Sequence, residues 1–437
     1  MGHLLLEPAA RIKLRMGALL EVTDHQASVR LGSLCVKFPG RFSKELGSLK
    51  NDGDLPVEFA SSPAIAALRS AMLLDSVIGL GVDGNIRIQP IAPCFNPKQG
   101  PAPKDVWPSR FAFASFEDGA VIIEQPHAGV RVRVYGAAVA KAAALLSRQP
   151  GSDDRTALTI LNELYRCHIL VDPNEEDGCV WEPHDLLMHS HSRLGRTDAA
   201  YGGTWRLRGR IPVPPALVPA TRETIPLPAA QTPRPADFLD VLDGRESTRE
   251  FGDVPITLAE LSSLFHHGAR VRSVSSDGEW QTTGRPYPSG GRAYELEIYA
   301  AVHQCEGLHE GLYRYLPDSH ALELRSGQLP HVHRLLDEAA ACYHGRSHPQ
   351  VLLIFTARIA RVAYKYESIA YSLVLKHVGV LQQTLCLVSA ALGIGACVLG
   401  GGNSEHFAQA AGVDPLEECS IGEMIVGSSN SQKKEIK

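Results

Sequence analysis

A lysine and a tyrosine stand side by side, Lys365 and Tyr366, just ahead of a long apolar run in this 437-residue chain. Residues 367 to 392 contain no proline and a single glycine, which allows a helix of about seven turns. Apolar side chains fall on all its sides, as in a helix buried in a core or an interface. Glycines follow, where a flat or phosphorylated molecule could approach closely: Gly393, Gly395 and Gly400 to Gly402. Together these features indicate a cofactor enzyme, although the segment alone fits a core helix with ordinary caps at least as well.

Composition and charge narrow the class of protein. With 44% hydrophobic and 21% charged residues the chain is typical of soluble globular proteins, and its length predicts two or three domains. A net charge of −5 disfavours nucleic acid as the main partner. The nine cysteines show no C-x-x-C spacing, which favours reduced thiols. Because we see no signal peptide, we expect a cytoplasmic protein. Polar residues in the apolar run (Lys376, His377, Gln382 and Gln383) argue against a membrane span.

Two further motifs lie upstream of the Lys–Tyr pair. Arg245, Ser247 and Arg249 form an R-x-S-x-R-x-F block. Pro288-Ser289-Gly290-Gly291 precedes the strand-like sequence Leu-Glu-Ile-Tyr that ends at Tyr299. In this order, the three motifs resemble those of the flavin-binding nitroreductase superfamily. More narrowly, they resemble its SagB-type peptide dehydrogenases, the azoline oxidases of ribosomal peptide natural-product clusters. The likeness covers residues 237 to 428 strongly and the N-terminal half only loosely.

The resemblance implies an α+β fold and FMN as the cofactor, held in part by the arginine block. A guanidinium matches a phosphate bidentately and stays charged, so Arg245 and Arg249 with the Ser247 hydroxyl suit a grip on the phosphate and pyrimidine. If the block is helical, the two arginines lie one turn apart. Without the other motifs, the block would be interpreted as a solvated charged turn.

The glycine-rich motif implies a second part of the flavin site. Ser289, Gly290 and Gly291, after Pro288, can bring backbone N–H groups against the ring edge because glycine has no Cβ. In the superfamily this loop reaches the flavin of the other subunit, which implies a homodimer. The remaining cofactor-binding residues that we predict are Gln383, Gly400 and Gly401. Gln383 aligns with the glutamine of the family's Q-N-L string, although Thr384 follows it here.

Lys365 and Tyr366 are the predicted catalytic residues, because the family places its Lys–Tyr pair here. Converting an azoline into an azole removes a proton from the ring carbon derived from Cα and a hydride from the neighbouring carbon. A lysine can take that proton only if burial or neighbouring charges lower its pKa. Tyr366 could orient the ring or share the proton. The family's glycine and arginine after the pair are replaced by Glu367 and Ser372, which puts the substrate contacts, not the reaction type, in doubt.

The N-terminal half repeats a pattern of strands followed by two helices. This predicts winged-helix-like modules at residues 1–100 and 101–180, with helices over residues 63–80 and 153–170, the second capped by Asp153. The first helix carries only Arg69 as a cation, together with Asp75, which is a poor face for DNA. The resemblance implies that such modules bind the leader segment of a precursor peptide. A packing or dimerisation domain without a ligand stays open.

Residues 181–236 form a predicted connecting segment that ends in a proline-rich linker from residue 211, and residues 237–437 form the predicted FMN domain. Three histidines in the first part, His184, His189 and His191, invite a metal hypothesis, but their helical spacing gives poor ligand geometry and we predict no metal site. In the last domain, helices are predicted to begin at Asp237 and at a capping box formed by Thr257 and Glu260.

The sequence therefore predicts an FMN-dependent dehydrogenase that oxidises thiazoline or oxazoline rings in a ribosomal peptide. The expected partners are a precursor peptide with its leader, a cyclodehydratase complex and a second copy of the chain; nucleic acid and membrane are not expected. Two other functions stay open. One is an NAD(P)H-dependent nitro- or quinone reductase, for which the long N-terminal half is a difficulty. The other is a catalytically silent scaffold that binds the leader peptide.

Overall fold

The computed structural model describes residues 10–15, 18–23, 25–31, 34–50, 53–55, 59, 62–147, 154–231, 237–345 and 347–429. The chain divides into two compact units, Met1–Tyr201 and Gly202–Lys437. The finer division predicted from the sequence, with boundaries at residues 100, 180 and 236, stays a prediction.

β-Strands dominate the first unit. They are β1 (Ala10–Leu14), β2 (Leu19–Val22), β3 (Gln26–Leu31), β4 (Leu34–Pro39), β5 (Leu74–Gly79), β6 (Asn85–Pro90), β7 (Trp107–Pro108), β8 (Phe113–Glu117), β9 (Ala120–Gln125), β10 (Val130–Tyr135) and β11 (Leu170–Val171). Six of them form one antiparallel sheet in the order β1-β5-β6-β10-β9-β8. Strands from both predicted modules thus share a single sheet. β2, β3 and β4 form a separate three-stranded sheet.

The helices of this unit are α1 (Ser43–Gly47), α2 (Pro63–Ser70), α3 (Ala138–Leu146), α4 (Arg155–Arg166) and α5 (Pro183–His191). The predicted helix over residues 63–80 is wrong in its second half, which is strand β5. Met72 adopts a left-handed φ of 57° that ends the helix, and β5 then pairs with both β1 and β6. The predicted cap Asp153 lies outside the described residues; the neighbouring Asp154 accepts a 2.6 Å hydrogen bond from the Ala157 N–H.

The three histidines on α5 lie in separate environments. His184 is exposed, and the ring of His189 packs against Trp181 with centroids 5.3 Å apart. His191 lies 2.5 Å from the Glu124 carboxylate, which raises the pKa of the imidazole. Glu124 also pairs with Arg131, so His191 belongs to a charged network that fastens α5 to the sheet.

The second unit is a seven-stranded antiparallel sheet between two layers of helices. Its sheet order is β12 (Thr224–Pro226), β19 (Ala321–Ser326), β18 (Gly311–Leu316), β16 (Leu296–Val302), β20 (Val351–Arg358), β22 (Glu418–Gly427) and β21 (Gly395–Leu399). Two short pairs flank it, β13 (Ile256–Thr257) with β17 (Cys305–Glu306), and β14 (Ser273–Asp277) with β15 (Trp280–Gly284). The helices are α6 (Phe238–Gly244), α7 (Leu258–Ala269), α8 (Leu329–Cys342), α9 (Ile359–Ala363), α10 (Ala370–Leu392) and α11 (Ser404–Ala411).

Alternation along the strands builds two cores, one on each face of this sheet. In β20, Leu353 and Phe355 pack with α7 and α10, whereas Leu352 and Ile354 pack with α8 and α11. Every residue of β16 is buried, as expected for a strand covered on both sides. The predicted α+β class is confirmed.

α10 is the central helix that the sequence predicts. It begins at Ala370 and ends where Gly393 takes a left-handed φ of 74°. Among the described residues it is the one helix long and apolar enough to cross a membrane. Its buried side chains, including Val374, Leu381 and Leu385, pack in the core with α7 and the sheet. α10 is thus a core helix of the second unit.

The other predicted helix starts in this unit are also present. The Asp237 side chain caps α6, and Thr257 with Glu260 forms the complete capping box of α7. Part of the proline-rich segment is not a free connector but belongs to the second unit. β12 pairs with β19, and the carbonyl groups of Pro215 and Ala216 accept hydrogen bonds from Arg358.

Candidate functional site

Lys365 and Tyr366 lie against the glycine-rich loop that the sequence singled out. The Lys365 Nζ donates a long hydrogen bond of 3.4 Å to the Gly291 carbonyl. A Cβ on Gly291 would lie 2.4 Å from the Tyr366 Oη and 2.7 Å from the Lys365 Nζ, and its φ is +60°. The left-handed backbone favours glycine at this position, and a side chain there would also displace the ends of Tyr366 and Lys365. The structure brings three of the predicted site residues into one cluster.

A buried histidine on α10 holds the neighbouring loop residue. The Gly290 N–H donates a 2.7 Å hydrogen bond to the His377 Nε2, and the His377 Nδ1 lies 2.7 Å from the Glu295 carboxylate. Because Nε2 accepts, the imidazole proton is on Nδ1 and is donated to Glu295. Ser289 accepts a 3.0 Å hydrogen bond from the Tyr294 N–H, while Pro288 is exposed at the start of the loop. These contacts fix the loop to α10 and to the start of β16.

Burial and charge both act on Lys365. Burial, followed by the nearby Arg361 cation, lowers the pKa of the Lys365 amine, against a smaller opposing effect of Asp277. Burial raises the pKa of the Tyr366 phenol. The Lys365 Nζ also lies 5.0 Å from the centre of the Trp205 ring. Burial and the Arg361 charge therefore shift the amine toward the neutral form that a general base requires, while the Trp205 ring favours the charged form.

An aromatic cluster and one buried arginine support the Lys–Tyr pair from behind. Trp280 stacks on Tyr364 with ring centroids 5.8 Å apart, and Trp205 contacts both rings edge-on. The Arg361 guanidinium lies 3.5 Å from the centre of the Trp280 ring and donates to the carbonyls of Ala293 and Pro214. Burial and the neighbouring Arg358 lower the pKa of Arg361 to about 9, so it stays charged near neutral pH. Arg361 is thus a fixed positive charge beneath the cluster.

No sequence motif marks these supporting residues. Trp205 and Trp280 lie in stretches without any motif, and Glu295 lies inside a strand-like sequence. His377 does carry one signal, because it is a polar residue inside an apolar helix. That signal argued against a membrane span but did not indicate a role in the site. Pairing between residues so far apart in the chain cannot be derived from spacing.

The arginine block lies along strand β21 and is not helical, contrary to the helical alternative. α6 ends at Gly244, and Arg245 has extended backbone angles (φ −69°, ψ 118°). The Thr248 N–H donates a 2.9 Å hydrogen bond to the Ala396 carbonyl of β21, which holds the block against the sheet instead of letting the helix continue. An extended segment places every second residue on the same side, so the R-x-S-x-R spacing still groups its polar members.

The arginine block borders a large open cleft. Ser247 and Arg249 line a cleft of about 1020 Å³ together with Tyr343 and His344. Within the described part of the chain, neither Arg245 nor Arg249 has a carboxylate partner. Two cations and a hydroxyl without an internal counter-ion suit an anionic ligand such as a phosphate.

The arginine block and the Lys–Tyr cluster lie at different ends of α10. Burial raises the pKa of the Cys386 thiol, and the nearby charge of Arg245 opposes this. Cys386 follows His377 by nine residues, which is about 13 Å along a helix. The structure thus gathers the predicted residues into two separate groups.

The remaining predicted residues lie apart from both groups. Gln383 is exposed on α10, while Gly400 and Gly401 are exposed beyond the end of β21, with no protein atom where a Cβ would be. The third glycine, Gly402, lies directly against the Glu423 carboxylate. Burial raises the pKa of Glu423 to about 7.

Comparison with known proteins matches two segments of the chain. The nitroreductase family matches residues 242–428, and the cyanobactin oxidase ThcOx family matches residues 107–198. A Methanocaldococcus jannaschii protein described as a nitroreductase is 30% identical over 169 residues, which cover 37% of this chain and 77% of that protein. The microcin B17-processing protein McbC of Escherichia coli is 26% identical over 154 residues, covering 34% of this chain and 56% of McbC.

Comparison with solved structures gives matches with low TM-scores. A Ralstonia eutropha protein described as a nitroreductase gives a TM-score of 0.37 at 24% identity, over 53% of this chain and 100% of that chain. The E. coli microcin synthetase McbBCD complex with truncated pro-MccB17 gives a TM-score of 0.36 at 18% identity, over 57% of this chain and 92% of that chain.

The two segment matches fall in different units of the chain. The nitroreductase match falls within the second unit and includes both the arginine block and the Lys–Tyr pair. The cyanobactin oxidase match falls within the first unit and confirms the predicted resemblance to SagB-type peptide dehydrogenases. With a relative matched at 30% identity over 77% of its length, the chain belongs to the nitroreductase family, whose oxidoreductase fold binds flavin.

Proposed function

We propose that this protein is an FMN-dependent dehydrogenase that oxidises azoline rings to azoles in a ribosomally synthesised peptide. The observation that carries the proposal is the Lys365 amine, held between Gly291 and Trp205 in surroundings that lower its pKa. Similarity to a cyanobactin oxidase and to the microcin B17-processing protein supports a peptide substrate.

The reaction requires a base and a hydride acceptor. Bound FMN supplies the acceptor, since a flavin takes up the hydride that leaves the azoline ring. Lys365 takes the proton from the ring carbon derived from Cα through the neutral form of its amine, which the lowered pKa makes more accessible. Tyr366, whose raised pKa keeps the phenol protonated, donates a hydrogen bond that orients the ring. One proton and one hydride thus leave the substrate together.

The residues present suit an FMN molecule. Arg245 and Arg249, with the Ser247 hydroxyl, would hold the phosphate, because these cations lack an internal counter-ion among the described residues. The Gly290–Gly291 backbone lies beside Lys365 and carries no side chain of its own, so a flat ring could approach this backbone closely. Gln383, Gly400 and Gly401 are further contacts in this proposal, each exposed and therefore accessible to a ligand or a second subunit.

A homodimer completes the proposed site. The outward face of α10 exposes apolar side chains, with Tyr371 48%, Leu375 39% and Val380 37% exposed. Such a face on the central helix suits burial against a second copy. Gln383 lies on the same exposed face. In the dimer, the loop and Lys365 of one chain serve the flavin held by the arginine block of its partner, as the family resemblance predicts.

Unit 1 is proposed to bind the leader of the precursor peptide, alone or within a cyclodehydratase complex. The support is the cyanobactin oxidase match over residues 107–198 and the likeness to a peptide-processing protein. We also propose a cytoplasmic location, which suits the nine cysteines, all of which are free thiols.

The proposal is tested by incubating purified, FMN-loaded protein with an azoline-bearing peptide that carries its leader. We expect each ring to lose about two mass units, and the loss to require the flavin. Bleaching of the flavin by NADPH without peptide, together with no ring oxidation, would favour a nitro- or quinone reductase. A colourless protein that binds the leader would favour the scaffold.

A further inference from the structure

A second polar cluster lies at the end of β16 that is farther from Glu295 and the Lys365 site. His303 directly follows β16, Glu310 directly precedes β18, and His333 projects from the second turn of α8. The His303 Nδ1 lies 2.9 Å and the His333 Nε2 2.7 Å from the same Glu310 carboxylate oxygen. The three candidate ligand atoms all lie within 4.8 Å of one another.

A third histidine borders this cluster. The ring centroid of His348 lies 5.1 Å from that of His303 and 5.6 Å from that of His333. Its Nε2 lies 2.6 Å from the Asp337 carboxylate, which holds the ring in place.

These residues have the chemistry of a metal-ligand set. Two imidazole nitrogens and one carboxylate oxygen are a common three-ligand arrangement for zinc and similar divalent metals, with a fourth position left for water. We propose that His303, Glu310 and His333 bind a divalent transition-metal ion, with Zn²⁺ the best match to the donors. No sequence motif marks this site, because the spacing of the three ligands matches no zinc motif.

The position of the site indicates a structural role. The three ligands come from the end of β16, the start of β18 and the helix α8 that covers them, so one ion would join strand, strand and helix. β16 separates the cluster from Glu295 and the Lys365 site by seven residues of strand, which is about 23 Å. The metal would therefore stabilise the second unit without taking part in azoline oxidation.

The test uses the full-length protein, stripped with a chelator and then titrated with Zn²⁺ or with Co²⁺ as a visible probe. We expect the protein to bind one metal ion per chain tightly and to have a higher Tm with the metal. Bound Co²⁺ should give the absorption band of a site with nitrogen and oxygen ligands. His303→Gln and Glu310→Gln should each lower the affinity for this metal ion by about tenfold to a hundredfold. His309→Gln and His331→Gln, which lie beside the ligands, are the matched controls and should bind as the wild type does.

The proposal is overturned if the wild-type protein holds no stoichiometric equivalent, or if the ligand variants and the controls bind equally. In that case the trio is a hydrogen-bonded cluster only. Metal content and Co²⁺ spectra are measured without peptide or flavin turnover, so this outcome is independent of the proposed azoline oxidation. If one ligand variant fails to fold, the other decides, with size-exclusion chromatography as the check on folding.

Discussion

The two ends of α10 differ in how their polar groups are paired. At the first end, His377 joins Glu295 to the Gly290 N–H, and both side chains are buried. At the other end, Arg245 and Arg249 have no carboxylate partner among the described residues, and Arg249 lines a wide cleft. One end is held rigid by internal hydrogen bonds, whereas the other leaves positive charge available.

This difference separates the demands of chemistry from those of binding. A base must be held in place and shielded before the substrate arrives, because its pKa depends on burial and neighbouring charge. A grip on phosphate gains most from cations that no internal partner has neutralised. Catalysis is therefore assigned to the Lys365 end and cofactor binding to the arginine end. Substitutions can change each end separately.

The largest expected effect is at the Lys365 end. Lys365→Ala should lower the rate of azole formation by about 10²–10⁴-fold, because the general base is lost. Tyr366→Phe should lower the rate in the same direction, while flavin occupancy stays normal in both variants. Azole formation is measured by mass spectrometry and occupancy by the flavin spectrum. Lys104→Ala removes an exposed lysine of the first unit and is the control. Full turnover by Lys365→Ala would remove this residue from the mechanism.

Variants at the arginine end should weaken flavin binding, which the variants at the Lys365 end leave normal. Arg245→Ala or Arg249→Ala should weaken FMN binding by about tenfold to a hundredfold, since a charge-assisted phosphate contact is worth about 1.5–3 kcal/mol. Thermal stability without flavin should stay unchanged, because neither arginine has a carboxylate partner within the described residues. FMN titration of the stripped protein measures the affinity. Wild-type affinity in both variants would mean that this block does not bind the cofactor.

A smaller effect is expected from the residue that holds the loop. His377→Leu leaves the Glu295 carboxylate and the Gly290 N–H without their buried partner, which should cost about 1–3 kcal/mol of unfolding free energy. The rate of azole formation should also fall, because the loop beside Lys365 is released. Chemical denaturation and turnover measure the two effects. His309→Leu, at an exposed position, is the control. A variant with lower stability and unchanged turnover would show that the loop position does not matter to catalysis.

The last effect is on stability alone and concerns Glu423, whose carboxylate lies against Gly402 beyond β21. Because burial raises the pKa of Glu423 from 4.5 to about 7, the folded protein keeps this proton between those pH values while the unfolded chain loses it. The contribution of Glu423 to stability is therefore greatest below pH 4.5 and falls as the pH rises to 7. Glu423→Gln should remove this slope and raise the unfolding free energy by up to about 3 kcal/mol at pH 8. Equal pH profiles of Tm for the two proteins would contradict the shifted pKa.

Local features of the sequence predicted the second unit well. Thr257 with Glu260, and Asp237, mark helix starts through contacts with residues close in sequence, and such contacts can be derived from spacing. α10 was predictable from the absence of helix breakers before Gly393. Met72, by contrast, carries no local signal for the left-handed turn that ends α2, and β5 pairs with β1, about 60 residues earlier in the chain, as well as with its neighbour β6.

The candidate site was predictable only in part. The motifs located Lys365, Tyr366 and Gly291, which the structure brings together, but not the His377–Glu295 pair, which joins residues 82 positions apart. The arginine block was predicted as a binding motif, yet its extended backbone depends on a hydrogen bond to β21, which follows it by almost 150 residues. Long-range pairing therefore accounts for most of what spacing could not provide.

The most direct test of the account mixes two inactive variants, one altered at each end of α10. If the site combines the arginine block of one chain with Lys365 of its partner, then a mixed dimer of Arg249→Ala and Lys365→Ala subunits contains one intact site. Random mixing makes half of the dimers mixed, so unfolding and refolding the two variants together should restore about a quarter of the wild-type rate of azole formation. Each variant refolded alone should stay inactive at limiting FMN. No gain in activity in a mixture that forms mixed dimers would contradict a site shared between chains.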